Sequence, residues 1–184
     1  MSSPTPDNSV VLLIDWQEKL LHAMPAEARE AAERNAAIIL QAANTLNIPV
    51  VVTEQYPEGL GPTAQSLRAL LPESTERIAK TSFSALADPK AKAALAQTAR
   101  KHVIVLGMET HICVWQTVRD LLQEDYIVSV LADSVLSRTT ANREVGLQLM
   151  TKSGAELRSA ETVAFEWIGD ASHASFKTIS RLVR

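Results

Sequence analysis

Ser9-Val-Val-Leu-Leu-Ile14, followed at once by Asp15, is the stretch of this chain that decides the fold. The run is almost wholly apolar, is too short for a buried helix and begins with paired valines, so it predicts an interior strand of a parallel sheet. Similar short apolar runs recur along the chain and predict five further strands. Those strands are residues 49–53, 77–79, 102–106, 126–131 and 155–157.

Helical patterns lie between most of these strands. Pro25 opens the longest pattern, whose buried stripe includes Ile38, Ala42 and Leu46 at steps of four residues. Further helices are predicted at residues 89–100, 112–124, 140–153 and from 158 onwards. Strands that alternate with helices indicate right-handed crossovers between parallel strands. We therefore expect a three-layer α-β-α fold around a six-stranded, mostly parallel, doubly wound sheet of Rossmann-like order 3-2-1-4-5-6.

The length and composition indicate one folded domain. A chain of 184 residues with 46% hydrophobic residues is long and apolar enough for one core. Its 6 Gly and 8 Pro are scattered and form no linker. We expect a single domain over residues 9–184, preceded by a flexible tail at residues 1–8.

The charge pattern argues against several classes of partner. The net charge is −3, and the basic residues form no run that would favour nucleic acid. No apolar stretch approaches the roughly 20 residues that span a bilayer, and residues 1–8 resemble neither a secretory signal nor a transit peptide. These features predict a cytoplasmic protein that acts on a small molecule, with no nucleic-acid or membrane partner.

Cys113 is the single cysteine of the chain, which excludes an intrachain disulfide and a metal cluster built from cysteines. Three interpretations remain: a small buried residue, an accident of sequence, or a nucleophile. In a doubly wound sheet, ligands bind beyond the carboxyl ends of the strands. Asp15 ends the first strand, Lys80 ends the third, and Cys113 follows the fourth, so all three are predicted at one rim. Each also has an ordinary interpretation, since Asp often caps a helix and a loop Lys is usually solvated.

These three residue types suit acyl chemistry. A cysteine attacks as its thiolate, which the start of a helix and the ammonium of Lys80 would favour at Cys113. Asp15 can accept the thiol proton and later pass it to a leaving amine or activate water. Backbone N–H groups of the turn before the helix can stabilise an oxyanion.

Several segments carry a resemblance to a known family. In chain order they are Leu-Leu-Ile-Asp15-Trp-Gln17, Val-Val-Thr-Glu-Gln55-Tyr56, Ala79-Lys80-Thr-Ser-Phe83-Ser84, Val-Leu-Gly107-Met-Glu-Thr-His-Ile-Cys113-Val-Trp-Gln-Thr117 and Ala-Asp133-Ser-Val-Leu-Ser-Arg138. Together they resemble the isochorismatase-like cysteine hydrolases, a family that includes isochorismatases, nicotinamidases and N-carbamoylsarcosine amidohydrolases. The stretches 53–63 and 169–177 are most similar to its isochorismatase-domain-containing subgroup.

The resemblance implies a specific site. It implies a catalytic triad of Asp15, Lys80 and Cys113, with a thioester intermediate on the cysteine. It also implies a cis peptide bond between Met108 and Glu109, with the N–H groups of Glu109 and Cys113 directed at the oxyanion. Because family members are commonly oligomers, it further implies a homodimer or a larger homo-oligomer.

The chain departs from the metal-dependent members of that family. In nicotinamidases an Asp-x-His pair follows the second strand and helps to bind zinc or another divalent metal. The corresponding stretch here, Thr53-Glu-Gln-Tyr-Pro57, has one carboxylate and no imidazole. We therefore expect no metal and no other cofactor, and nicotinamidase activity is not favoured.

Six residues are candidates for the substrate pocket by position, and each has a structural alternative in the core or in a subunit contact. They are Trp16, Gln17, Gln55, Tyr56, Phe83 and His111. Arg138 matches the family, where such a residue either orients a loop or pairs with a neighbouring subunit.

The sequence favours a metal-independent cysteine hydrolase of a small amide, carbamoyl or related acyl compound, acting on carbon–nitrogen bonds. The alternative is an isochorismatase-like fold retained for binding or assembly, with weak or no hydrolase activity. Nucleotide binding is disfavoured because no Gly-x-Gly-x-x-Gly motif follows the first strand.

Overall fold

The computed structural model describes residues 3–184. Its strands are β1 (Ser9–Ile14), β2 (Val50–Gln55), β3 (Arg77–Lys80), β4 (His102–Met108), β5 (Ile127–Leu136) and β6 (Glu156–Arg158). Its α-helices are α1 (Glu18–His22), α2 (Ala26–Thr45), α3 (Pro57–Leu60), α4 (Gln65–Arg68), α5 (Pro89–Gln97), α6 (Trp115–Gln123), α7 (Thr140–Lys152), α8 (Ala160–Ile168) and α9 (Phe176–Leu182). A 3₁₀ turn lies at Ala85–Ala87 and a π-helical turn at Thr110–Val114.

The six strands form one parallel sheet in the order β3-β2-β1-β4-β5-β6, which confirms the predicted fold class. β1 lies at the centre, where Ile14 is level with Thr53 of β2 and Gly107 of β4. The carboxyl ends of three strands therefore meet at the point where the strand order reverses. A ligand crevice is expected at this point.

Side chains of β1 alternate between the two faces of the sheet, as the period of a strand requires. Val11 and Leu13 face a core cluster that includes residues of α2, α8 and α9, whereas Val10 and Leu12 face a second cluster with residues of α5, α6 and α7. All six residues of β1 are buried. This two-sided burial explains why the strand is a continuous apolar run.

Several predicted boundaries are wrong, and two of them lie near the cysteine turn. β5 does not end at residue 131 but continues to Leu136, because Val135 and Leu136 still pair with Gly107 and Met108 of β4 after a shift in register. The Asp133 carboxylate accepts the backbone N–H of Ala160 at the start of α8. The helix predicted from residue 112 begins as the π-helical turn at Thr110–Val114, and regular α-helix starts only at Trp115. The short helices α1, α3 and α4 were not predicted, and the single helix predicted from residue 158 onwards is two helices, α8 and α9.

The segment predicted as a flexible tail falls partly outside the described residues. Within residues 3–8, the side chains of Thr5 and Asn8 each accept a backbone N–H from the other. Arg100 donates to the carbonyl of Pro6, and His102 donates its backbone N–H to Asn8. This part of the segment is thus attached to the amino end of β4. No helix within residues 3–184 has the length and apolar character needed to cross a bilayer.

His102 forms a buried polar contact at the start of β4, far along the strand from the carboxyl rim. Its Nε2 lies 2.8 Å from the hydroxyl of Ser129, which also accepts Arg158 Nε at 3.0 Å. Burial and the nearby charge of Arg158 lower the pKa of His102 to about 4. The imidazole is therefore neutral in the folded protein near neutral pH.

We expect the free energy of unfolding to fall as the pH drops from about 6.5 towards 4. The unfolded chain binds a proton at His102 in this range and the folded chain does not, so the unfolded state gains about 3 kcal/mol. Urea denaturation at several pH values measures this loss. His102→Gln should show a smaller loss over the same range, and equal losses in both proteins would contradict the assignment.

Candidate active site

Asp15 occupies the turn directly after β1 and is fully buried. Its backbone is left-handed, with φ of 50°, a conformation that Asp adopts more readily than most residues. One carboxylate oxygen accepts the hydroxyl of Thr53 at 2.7 Å, and the other accepts Lys80 Nζ at 2.7 Å. The carboxylate is thereby fixed from two neighbouring strands.

Lys80 ends β3 and is also buried, and its ammonium is surrounded by acceptors. Nζ donates to Asp15 at 2.7 Å, to Gln55 Oε1 at 2.7 Å, and to the carbonyls of Ser82 and Phe83 at 3.1 and 3.2 Å. An ammonium has three protons, so these four acceptors account for all of them. Lys80 therefore positions the carboxylate and has no donor left for a ligand.

Cys113 lies in the π-helical turn that follows β4. The approach of β4 to β1 requires glycine at residue 107, because a Cβ there would lie 2.1 Å from the carbonyl oxygen of Ile14. The peptide bond between Met108 and Glu109 is cis, and this is the bond for which the resemblance implied that conformation. Thr117 donates its hydroxyl to the Cys113 carbonyl at 2.7 Å and accepts the N–H of Ala85 at 2.9 Å, which ties the cysteine turn to the segment after Lys80.

The Cys113 thiol is buried, and the Asp15 carboxylate lies close enough for its charge to act on the thiol. Burial, followed by the negative charge of Asp15, raises its pKa to about 12, and the opposing effects of Lys80 and the Glu109 N–H are smaller. The buried site therefore favours the neutral thiol over the thiolate near neutral pH. Burial is the main reason, because it penalises the charged thiolate, and the Asp15 carboxylate adds to this effect more than Lys80, which is bound to Asp15, offsets it.

Glu109 and Arg138 form an ion pair beside this turn. The Glu109 carboxylate is buried and accepts Arg138 Nε at 3.1 and 3.2 Å and the Arg138 backbone N–H at 3.1 Å. The pair attaches the segment after β5 to the cysteine turn, a contact that supports loop orientation as one role of Arg138.

Two of the predicted pocket residues do not reach an open surface. Trp16 is fully buried in the core with α2 and α4 residues. Gln17 is also buried, and its amide donates to the carbonyls of Gln55 and Gly61 and accepts the N–H of Gln55. Both side chains support the loop after β2, so neither lines a pocket that is accessible from solvent.

The other four candidates lie nearer the rim. Gln55 directs its amide oxygen to Lys80 and its amide nitrogen to the carbonyl of Thr81, so it organises the site. Tyr56 and Phe83 are 54% and 53% exposed and flank this cluster in sequence. His111 lies two residues before Cys113, and its Nδ1 is 3.0 Å from the hydroxyl of Ser137, a contact that attaches it to the end of β5.

The residues after β2 do not fit a metal site. The Glu54 carboxylate accepts both the N–H and the hydroxyl of Thr63 at 2.6 Å, so it holds the loop before α4. Among residues 3–184, no three His, Cys, Asp or Glu side chains converge as a metal-ligand group.

A cleft of about 590 Å³ lies elsewhere, beside the carboxyl end of β6, and is partly lined by Asp133, Arg158 and Ser159. Its polar groups are already engaged: Asp133 and Ser159 cap α8, and Arg158 pairs with Glu156 and Glu166. The cleft holds no activated nucleophile. The only cluster that combines a thiol, a carboxylate and an ammonium within the described chain is the one around Cys113.

The sequence did not identify the residues that hold the three reactive groups in place. Thr53 fixes Asp15, and Thr117 fixes the cysteine turn. Thr53 could have been found from register, because it stands level with Ile14 where parallel strands end together. Thr117 follows Cys113 by four residues, the spacing at which a helical hydroxyl reaches back to a carbonyl.

The fold and these residues define an α/β protein of three layers with a buried carboxylate, ammonium and thiol at its topological switch point. The family model described as "Isochorismatase domain" matches residues 9–162. This chain belongs to the isochorismatase family.

Its relatives agree with that assignment. "Isochorismatase domain-containing protein 2" of Bos taurus is 38% identical over 180 residues, which cover 97% of this chain and 84% of that protein. The Homo sapiens protein of the same name is 36% identical, with the same shares covered.

Solved structures are also similar. The "MAR1 Ribonuclease" of Caenorhabditis elegans is 34% identical and superposes with a TM-score of 0.92, covering 99% of this chain and 92% of that one. The YcaC product of Escherichia coli, called an octameric hydrolase of unknown specificity, is 24% identical with a TM-score of 0.92, covering 99% and 91%. The latter likeness supports the fold alone. A hydrolase fold of the isochorismatase type is thus established for this chain.

Proposed function

We propose that this protein is a metal-independent cysteine hydrolase of small amides, carbamoyl compounds or related acyl compounds. Asp15 removes the proton from Cys113 as the sulfur attacks the carbonyl carbon, and the N–H groups of Glu109 and Cys113 bind the oxyanion. Asp15 then gives the proton to the leaving amine, which leaves a thioester. A water molecule, deprotonated by Asp15, attacks the thioester and releases the acid and the thiol.

The observation that carries this proposal is the burial of the Cys113 thiol, the Asp15 carboxylate and the Lys80 ammonium at the point where the strand order reverses. The Asp15 charge lies close enough to help raise the pKa of the thiol. A buried thiol with a raised pKa is a poor nucleophile by itself. Beside a fixed carboxylate it can lose its proton during the attack, which is general base catalysis. Lys80 and Thr53 keep that carboxylate in place.

A substrate panel tests the proposal. We expect turnover of at least one class among small amides, ureido acids and activated esters. Cys113→Ser should lower it by about 10³-fold or more, because the hydroxyl is harder to deprotonate and the residues act as a unit. Release of amine or ammonia and of acid is measured, with Ser172→Ala, a change at an exposed surface position, as the control.

Two other outcomes would contradict the proposal. Absence of turnover together with tight retention of a small molecule would favour a binding or assembly role on a retained hydrolase fold. Cleavage of an RNA oligonucleotide, included because of the name of the Caenorhabditis elegans relative, would point to phosphodiester chemistry. The net charge of −3 does not favour RNA binding.

The homo-oligomer stays a prediction. Val145 and Leu149 are exposed apolar residues four apart on α7, a spacing that places them on one face, and such a face can bury itself against a second copy. Light scattering of the purified protein measures the number of subunits, and a monomer at micromolar concentration would contradict the prediction.

A further inference from the structure

The outer face of α7 is exposed although it carries apolar side chains. Val145 and Leu149 are 51% and 37% exposed. The opposite face of the helix packs on the cysteine turn, because a Cβ at Gly146 would lie only 2.8 Å from the carbonyl of Thr110, and Met150 on that side is fully buried. The outer face is thus the part of α7 that is open to a partner.

Two charged residues lie on either side of this apolar pair. Glu144 and Lys152 are exposed, and neither forms an ion pair with another of residues 3–184. They cannot pair with each other, because eight residues of helix separate them by about 12 Å. Positions three and four apart share one face of a helix. The outer stripe of α7 therefore consists of Glu144, Val145, Gln148, Leu149 and Lys152.

The outer stripe is complementary to itself. If a second copy lies antiparallel to the first, with a twofold axis beside Gln148, Val145 of each copy meets Leu149 of the other. The same axis places Glu144 of each copy beside Lys152 of the other. A twofold interface makes every such contact twice, so one arrangement buries four apolar side chains and forms two ion pairs. With the helices parallel, like charges would instead lie opposite each other.

Leu157 extends the apolar surface from α7 to the edge of the sheet. It lies on β6, the outermost strand, and is 42% exposed. With Leu147 and Thr151 it lines a groove of about 240 Å³, which also borders Gln148 and Lys152 of the outer stripe. Stable interfaces bury roughly 800 Å² on each partner, so we expect the contact to include this groove as well as the outer stripe.

We propose that a second copy of this chain binds the outer stripe and the adjoining groove, with the two α7 helices antiparallel about a twofold axis. The inference rests on the homo-oligomer predicted with the proposed function and identifies its interface. A different protein partner would not require the stripe to match its own reversed order, and the meeting of opposite charges favours the second copy. Because this interface joins the subunits in pairs, the assembly contains an even number of them.

Reversal of the two charges tests the contact between the copies. We expect Glu144→Lys and Lys152→Glu, each alone, to weaken association by about 5- to 30-fold, because each change places like charges together at both symmetry-related contacts. The double variant Glu144→Lys/Lys152→Glu should restore most of the wild-type affinity. Sedimentation equilibrium measures the dissociation constant. Glu30→Lys makes the same charge change at an exposed position of α2 and should leave the constant unchanged.

Leu149→Glu tests the apolar contact. It should halve the number of subunits at micromolar concentration, because the interface would then bury carboxylates without partners, while circular dichroism should show the separated subunits to be folded. A wild-type protein that is a monomer would leave the stripe to a different partner and would overturn the inference, as would an odd number of subunits. An assembly that Leu149→Glu leaves intact, or a double charge variant as weak as the single ones, would overturn it as well.

The assembly measurements do not depend on turnover. If the substrate panel gives no hydrolysis and the charge reversal behaves as expected, the interface stands and the hydrolase proposal fails. If hydrolysis is found and the charge reversal has no effect on association, the hydrolase proposal stands and the interface is overturned.

Discussion

Replacing Asp15 with Asn will make Cys113 more reactive towards alkylating agents near neutral pH and will at the same time lower turnover strongly. The two effects have opposite signs because Asp15 raises the thiol pKa through its charge and its hydrogen bond, yet is also the base that the attack requires. Without the carboxylate, the pKa of Cys113 should fall from about 12 towards its ordinary value of 9.0. Turnover should fall by about 10²- to 10⁴-fold, the usual contribution of a general base.

The rate of iodoacetamide modification as a function of pH measures the first effect. In the wild-type protein the rate should still be rising at pH 10, whereas in Asp15→Asn it should approach a plateau at a lower pH. Asp125→Asn makes the same chemical change at an exposed, left-handed position and should leave both profiles unchanged. A wild-type thiol that titrates near 9, with no shift in Asp15→Asn, would show that the carboxylate does not face the sulfur.

Asp15→Asn should remain folded, which makes the comparison meaningful. The Lys80 ammonium keeps three acceptors in Gln55, Ser82 and Phe83, and Asn tolerates the left-handed backbone of residue 15. The experiment therefore changes one charge in a site that is otherwise intact.

The fold followed from local patterns because its strands are buried on both faces. A strand such as β1, with core clusters on either side, has no alternative to a continuous apolar sequence. Strand boundaries were harder to predict where pairing with a distant strand decides them. β5 continues to Leu136 because Val135 and Leu136 pair with Gly107 and Met108 of β4, and no local pattern encodes that pairing.

The candidate site, like the fold, was predictable from the sequence only in part. Its reactive residues were predictable because parallel strands deliver their last residues to one edge of the sheet. The protonation state of Cys113 was not, because it depends first on how deeply the thiol is buried and then on which charged groups lie beside it. In the structure Nζ turns to Asp15 and to three oxygens of the segment 55–83, a choice that side-chain packing makes and that spacing along the chain cannot reveal.

Replacing Lys80 with Met will destabilise the protein by about 3 to 5 kcal/mol, the usual effect of removing one partner of a buried ion pair. Asp15 and Lys80 side chains are fully buried, so water cannot replace the ammonium. Gln55 Oε1 and the carbonyls of Ser82 and Phe83 also lose their donor. Thermal unfolding should shift down by about 10 °C for a chain of this size. Lys90→Met, at an exposed position on α5, should change stability by less than about 0.5 kcal/mol.

The double variant Lys80→Met/Asp15→Asn separates a charge effect from a packing effect. If most of the loss comes from an unpaired carboxylate, neutralising residue 15 should recover part of it, and the double variant will be more stable than Lys80→Met alone. If the double variant instead loses as much stability as the two single variants together, the ammonium stabilises the fold mainly through the carbonyls of Ser82 and Phe83. Lys80 would then serve chiefly to hold the loop after β3, and the carboxylate that accepts the proton of Cys113 would depend on Thr53 for its position.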